Sequence, residues 1–227
     1  MSTPGLRIAI VGAESTGKTW LARAAAERLA EHTGLAVAWV PEVLREWCDA
    51  AGRTPRPDEQ AGIAAEQARR IDEAAARHAI VIADTTPLTI SVYSEYLFAD
   101  RSLHAQALDW QRGCALTLLT ALDLPWVADG HQRDGEHVRE PVDALLRGLL
   151  IGARLPWASI AGTGEARLDA ALDAITPLLR DLEAPRRGLF TRLAEREAAE
   201  PAWRWACDCD APDCEHALRR LAAPERR

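Results

Sequence analysis

Leu6-Arg7-Ile8-Ala9-Ile10-Val11 runs directly into Gly12-Ala13-Glu14-Ser15-Thr16-Gly17-Lys18-Thr19. The apolar hexamer reads as a short buried strand. The next eight residues fit G-x-x-x-x-G-K-[ST], and Lys18 to His32 reads as an alanine- and leucine-rich helix ended by Gly34. Strand, glycine loop and helix is the order that a phosphate loop requires. Its backbone N–H groups turn toward phosphates, Lys18 reaches the β- and γ-phosphates, and Thr19 offers a hydroxyl to Mg²⁺. The positive end of the helix adds to the anion site. Lys18 is also the only lysine in the chain; arginine carries the remaining positive charge. A compact ammonium and a planar guanidinium are interchangeable on a solvated surface but not inside a phosphate cradle. No G-x-G-x-x-G follows this strand, which counts against a nicotinamide-dinucleotide site.

Working outward, the apolar runs Arg7–Gly12, Ala36–Val40, Ala79–Ala83, Leu116–Leu122 and Ala158–Ala161 read as strands. The fourth also suits a helix. Helical patterns run near Lys18–His32, Asp58–His78, Leu88–Asp109, Val138–Ile151 and Glu165–Arg180, with Asp58 as a candidate cap after the loop Ala51–Asp58. Alternating strands and helices predict an α/β P-loop NTPase fold, with a five-stranded parallel sheet flanked by helices. Ala184-Pro185-Arg186-Arg187-Gly188 marks a boundary. It separates a domain over 1–184 from a small helical, cysteine-bearing extension over 185–227.

With 48% hydrophobic residues, the 227-residue chain can bury a sizeable core. A net charge of −7 gives no support for nucleic-acid binding through an overall positive field. No secretory signal or membrane-length apolar run is apparent, and five cysteines do not suggest a disulfide framework. A cytoplasmic protein with a small-molecule partner is expected, and its oligomeric state is open.

Ligands of open α/β sheets sit beyond the carboxyl ends of the strands. Glu42 follows the second strand and Asp84 the third. Phosphoryl transfer needs one carboxylate to orient the attacking hydroxyl and another near Mg²⁺. Glu42 suits the first task and Asp84, with Thr19, the second; the reverse assignment is open, as is helix capping or pairing with arginine. Arg45 can bind a substrate oxygen or form an ion pair. The segment Leu124–Gly135 can close over the phosphates, with Arg133 neutralising charge on the transferring group and Arg139 as a second candidate; an ordinary exposed loop is the alternative. Ala161-Gly162-Thr163-Gly164 is a candidate adenine neighbour or a plain turn.

The phosphate loop, Val40-Pro41-Glu42-Val43-Leu44-Arg45-Glu46, Asp84-Thr85-Thr86-Pro87-Leu88-Thr89, Val92-Tyr93-Ser94-Glu95-Tyr96-Leu97 and Pro125-Trp126-Val127-Ala128-Asp129-Gly130 occur in that order. Together they resemble the ribosylnicotinamide kinase domain of NadR-like proteins, a branch of the P-loop nucleoside-kinase group. The resemblance implies ATP-dependent phosphorylation of the 5′-hydroxyl of nicotinamide riboside, giving nicotinamide mononucleotide. It aligns Glu42 with the acid that follows the second strand in related kinases. A cationic aromatic ring could stack on one or two of Trp39, Trp47, Tyr93, Tyr96 and Trp126. Thr86 stands where the family resemblance implies a second acid. No H-x-G-H adenylyltransferase signature occurs, so a kinase module alone is expected.

Cys207, Cys209, Cys214 and His216 form C-x-C-x₄-C-x-H, which can hold Zn²⁺ or remain a solvated, reducible tail. The alternatives to the favoured kinase are a kinase for another nucleoside or nucleotide and a non-catalytic ATP-binding switch. A signalling GTPase is disfavoured because a chain without asparagine has no N-K-x-D motif. An AAA-type remodelling ATPase is disfavoured because Thr85, not glutamate, follows Asp84.

Overall fold

The computed structural model describes residues 4–127 and 135–182, with the side chains of residues 180 and 181 excepted. Its five strands are β1 (Leu6–Val11), β2 (Val37–Val40), β3 (Ile80–Asp84), β4 (Leu116–Thr120) and β5 (Trp157–Ile160). They form one parallel sheet in the order β2-β3-β1-β4-β5. The ambiguous fourth run is a strand because it pairs on both sides, Ile10 with Leu118 and Leu118 with Ala158.

Both sheet faces are covered, which is why the strands read as continuous apolar runs rather than alternating ones. Ile8 and Ile10 point to one face, against Leu21 and Leu29 of α1 (Lys18–Thr33) and Leu168 and Leu172 of α7 (Gly164–Ile175). Val11 points to the other, against Leu88 and Val92 of α4 (Pro87–Phe98) and Val142 and Leu146 of α6 (Arg139–Gly152). Ile71 of α3 (Gln60–Ala75) packs on Val81 and Ala83 of β3. Each fully buried Ile or Leu contributes roughly 1.5–3 kcal/mol.

Helices α1 and α4 leave the adjacent strands β1 and β3 toward opposite faces. The carboxyl ends of those two strands therefore flank a crevice, the place where open α/β sheets bind ligands. Gly34 ends α1 as expected, in the left-handed region with its N–H on the Ala30 carbonyl.

Four helical expectations change. Helix α2 (Val43–Ala51) forms directly after Glu42, where no helix is anticipated. The single helix expected over 88–109 is two, α4 and α5 (His104–Gln111). Ala99 turns left-handed at φ 55°, and the Asp100 carboxylate accepts the Ser102 N–H at 2.9 Å, which competes with helix continuation. Asp58 caps nothing: it lies inside a 3₁₀ turn, Pro57–Glu59, where Glu59 accepts the Arg56 N–H at 2.7 Å. Finally, α7 stops at Ile175 and a 3₁₀ turn, Thr176–Asp181, takes over at Pro177, whose nitrogen has no hydrogen to donate.

The extension over 185–227 lies outside the described residues. Among the described residues, no helix is long and apolar enough to cross a membrane.

Candidate active site

The phosphate loop is held from beneath by contacts remote in sequence. Gly12 passes so close to β4 that a Cβ would overlap Thr120 Oγ1. That hydroxyl contacts Thr16 Oγ1 at 2.6 Å and the Val11 carbonyl at 3.2 Å, while Thr16 donates to the Ala13 carbonyl at 2.9 Å. Arg167, 1% exposed, donates to the Thr16 carbonyl at 2.8 Å, the Gly162 carbonyl at 2.7 Å and Asp123 at 2.8 Å. Burial alone would raise the Asp123 carboxyl, but the Arg167 guanidinium and the Gly162 N–H hold it below the ordinary range. Ser15 sits left-handed at φ 55°, and its hydroxyl accepts the Val127 N–H at 2.8 Å. Gly17 is left-handed too, at φ 76°, and caps the start of α1. Lys18 Nζ donates to the Ala13 carbonyl of its own loop at 2.9 Å, a bond that phosphate oxygens can replace.

Both acids stand at strand ends, as expected. Glu42 occupies the N-cap position of α2 yet makes no side-chain cap bond. Its carboxylate is 3.8 Å from Arg45 Nε, long for a tight ion pair. Gln67 of α3 fixes the backbone on both sides of Glu42: its Oε1 accepts the Val43 N–H at 2.8 Å, and its Nε2 donates to the Pro41 carbonyl at 3.2 Å.

Asp84 is fully buried at the end of β3, in register with Ile10. Burial pushes its carboxyl up; the nearby Thr19 hydroxyl and the charges of Lys18 and Arg45 draw it back only in part. Neither Asp84 oxygen completes a hydrogen bond. The following Thr85 is held at φ 73°, a strained conformation for a β-branched residue. Two unsatisfied carboxylate oxygens beside a threonine hydroxyl suit a hard, oxygen-seeking cation. The residues present therefore fit Mg²⁺.

One cavity of about 520 Å³ is lined by both the phosphate loop and Glu42, while Asp84 is not among its lining residues. Glu14 to Thr19 form one end, and Glu42, Arg45, Gln60, Thr89 and Tyr93 help line the rest. Its size is that of a small-molecule site. Of the candidate aromatic residues, Tyr93 lines this cavity. Trp39 and Trp47 instead lie under the guanidinium groups of Arg23, at 4.7 Å, and Arg53, at 4.9 Å, and Tyr96 packs on the core.

Arg139, the second candidate for the phosphates, is not among the residues lining the cavity. It is 5% exposed, and its guanidinium donates to the carbonyls of Leu122, at 3.3 Å, and Leu124, at 2.7 Å. Ala161–Gly164 is not among the residues lining the cavity. Arg133, Asp129 and Gly130 lie outside the described residues, as do Cys207, Cys209, Cys214 and His216. Among the described residues, no three His, Cys, Asp or Glu side chains gather as a metal site.

Gln60 and the wall residue Trp20 carry no motif in the sequence, and neither does the brace Arg167; Thr89 closes the segment Asp84–Thr89 but takes no role from it. Their roles come from tertiary placement alone.

Loop, crevice and sheet order define a P-loop nucleotide-binding domain. More specifically, the profile described as "AAA domain" matches residues 7–167, well over half of the chain, and the chain belongs to that family. The expectation against an AAA-type remodelling ATPase rests on Thr85 after Asp84; the family match gives the domain and names no reaction. No curated protein matches the chain by sequence. Its fold is shared with solved NadR and nucleotide-kinase structures. A NadR protein in complex with NR aligns at a TM-score of 0.59 and 19% identity, over 81% of this chain and 53% of that one. A NadR protein in complex with NAD and AMP-PNP aligns at 0.60 and 19%, over 82% and 52%. The thymidylate kinase of Ehrlichia chaffeensis aligns at 0.56 and 16%, over 78% of this chain and 100% of its own. This chain thus spans about half the length of the NadR chains.

Proposed function

We propose that the protein is an ATP-dependent kinase that phosphorylates the 5′-hydroxyl of nicotinamide riboside to give nicotinamide mononucleotide. The observation that carries this reading is the shared cavity, with Lys18 at one end and Glu42 on the adjoining wall. Kinases among the similar folds, and NadR with NR among them, support it.

In this reading the loop amides and Lys18 hold the β- and γ-phosphates of ATP. Lys18 exchanges the Ala13 carbonyl for phosphate oxygens. Glu42 accepts the proton of the acceptor hydroxyl as its oxygen bonds to the γ-phosphorus. The bond from that phosphorus to the β–γ bridging oxygen breaks, and ADP leaves with the electron pair. Thr19 and Asp84 would hold Mg²⁺, which would supply charge neutralisation at the phosphates. Arg45, on the same cavity wall, supplies a further cation toward the acceptor side. A positive group at Arg133 is part of the proposal from sequence. The same reading places the enzyme in the cytoplasm, where ATP is abundant.

Incubation with Mg²⁺–ATP and a panel of nicotinamide riboside, deoxynucleosides and nucleoside monophosphates, with products identified by mass, tests the reading. Nicotinamide mononucleotide should dominate. Phosphorylation of another acceptor alone would move the assignment to a different nucleoside or nucleotide. ATP binding without any product would leave a nucleotide-dependent switch.

A further inference from the structure

Three glutamines are buried among the described residues, and two are fully engaged. Gln67 bonds the backbone on both sides of Glu42. Gln111 accepts from Thr86 at 2.8 Å and donates to Thr117 at 2.8 Å. The third, Gln60, opens α3, is 2% exposed, and its Oε1 has no hydrogen-bond partner. Thr89, in the first turn of α4, is likewise 2% exposed with an unpartnered Oγ1. Both line the cavity that holds Glu42 and Tyr93. Buried polar groups are nearly always paired, and one left unpaired destabilises the fold. Two of them lining one cavity mark bonds that a ligand completes.

We infer that Gln60 and Thr89 are specificity-determining residues that select an acceptor whose aromatic ring presents an amide-type edge. This inference rests on the kinase reading for calling the ligand an acceptor. A glutamine carboxamide offers an acceptor and a donor side by side. Its complement is a group offering a donor and an acceptor side by side, such as a ring carboxamide or the lactam edge of a base. Exchanging the glutamine O and N leaves that requirement unchanged. A carboxylate in the same place can only accept, so it leaves Gln60 Oε1 without a partner. The Thr89 hydroxyl serves a further lone pair or hydrogen of the same ligand. Tyr93 lines the same cavity and gives the ring an aromatic neighbour.

The test is calorimetric binding to the full chain, with Mg²⁺ and a non-hydrolysable ATP analogue present. The probes are nicotinamide riboside and nicotinic acid riboside, which differ only in carboxamide against carboxylate. The wild type should prefer the carboxamide by about tenfold or more. Gln60→Leu should weaken the carboxamide riboside by roughly 10–100-fold and bring the two probes within about twofold of each other. Thr89→Val should weaken it by about 3–10-fold. A purely structural role would not move the ratio between the probes. Gln60→Leu should keep the wild-type melting temperature; if it unfolds, the unbranched Gln60→Met, which also removes both the donor and the acceptor, should show the same loss of carboxamide preference.

Equal affinity of wild type and Gln60→Leu for nicotinamide riboside would overturn the assignment. So would no binding by the wild type, or unfolding of both Gln60 variants. Turnover with ATP on the same samples separates the two readings. Gln60-dependent binding without phosphoryl transfer would keep the subsite and remove the kinase.

Discussion

Asp84 concentrates the conflict between stability and chemistry in one side chain. Its carboxyl is fully buried, and neither oxygen has a hydrogen-bond partner. Burial raises its proton affinity above the unfolded value. Its stabilising contribution is therefore complete below the unfolded carboxyl range and is lost as pH rises through the folded value. At neutral pH an ionised Asp84 weakens the fold. Asp84→Asn should raise the melting temperature at pH 7 by a few degrees, about 1–2 kcal/mol. The gain should shrink on acidification, as the wild-type carboxyl protonates, while Mg²⁺-dependent nucleotide binding and turnover fall. A melting curve unchanged at pH 7 would mean that the carboxylate is already compensated. Glu42 makes the opposite case, since it lines the cavity and is held by its backbone. Glu42→Gln should lower kcat by about 10²–10⁴-fold while ATP affinity changes little; near-normal turnover would remove it as the base. Lys18→Ala deletes the bond to Ala13 but no core contact. It should abolish phosphoryl transfer with the circular dichroism spectrum retained.

Among the elements, the strands and the loop-bearing helix were legible because their signals are local. Four- to six-residue apolar runs bounded by turns give the sheet, and glycines with one lysine give the loop. The site acids followed from strand ends once a parallel sheet was assumed. Helix α2 was missed although Val43, Leu44, Trp47, Cys48 and Ala51 recur at helical spacing: its nine residues are few for a periodic pattern, they follow Pro41-Glu42 directly, and Gln67 of a different helix fixes where it starts. The break between α4 and α5 was hidden because an alanine, a residue normally found in helices, takes the left-handed turn. Arg167 on α7 was hidden more deeply, since a single arginine in a charged helix gives no hint that it will be buried. It joins α7 to the phosphate loop through Thr16, to the end of β4 through Ala121, and to the β5–α7 turn through Gly162. Arg167→Met keeps the bulk and removes every one of those bonds. It should destabilise the domain by roughly 3 kcal/mol, partly because three carbonyls lose their donor. It should also raise the KM for ATP, because the loop loses its brace. Denaturant melts and nucleotide titrations on one sample measure both. A loss of stability with unchanged ATP affinity would confine Arg167 to holding the fold.

At the scale of the molecule, loop, sheet and cavity make nucleotide binding and folding one linked equilibrium. The phosphate loop is left-handed at Ser15 and Gly17, and Thr85 is strained beside it. Asp84 adds an unsatisfied buried carboxylate. All of these costs fall within a site that would receive Mg²⁺–ATP in the proposed reaction. Ligand that binds only the folded state stabilises it by RT ln(1 + [L]/Kd), about 2.7 kcal/mol at a hundredfold excess over Kd. For a chain of 227 residues this corresponds to a rise in melting temperature of roughly 5–10 °C. Mg²⁺–ATP should give that shift, and ATP with a chelator much less, because the Asp84 oxygens then remain unsatisfied. Lys18→Ala should lose most of it. The acceptor riboside should add a second increment in the presence of a non-hydrolysable analogue, since both ligands occupy one cavity wall to wall. A nucleotide-dependent switch would show the first shift without the second. The pair of shifts therefore distinguishes an enzyme holding two substrates from a domain that binds nucleotide alone.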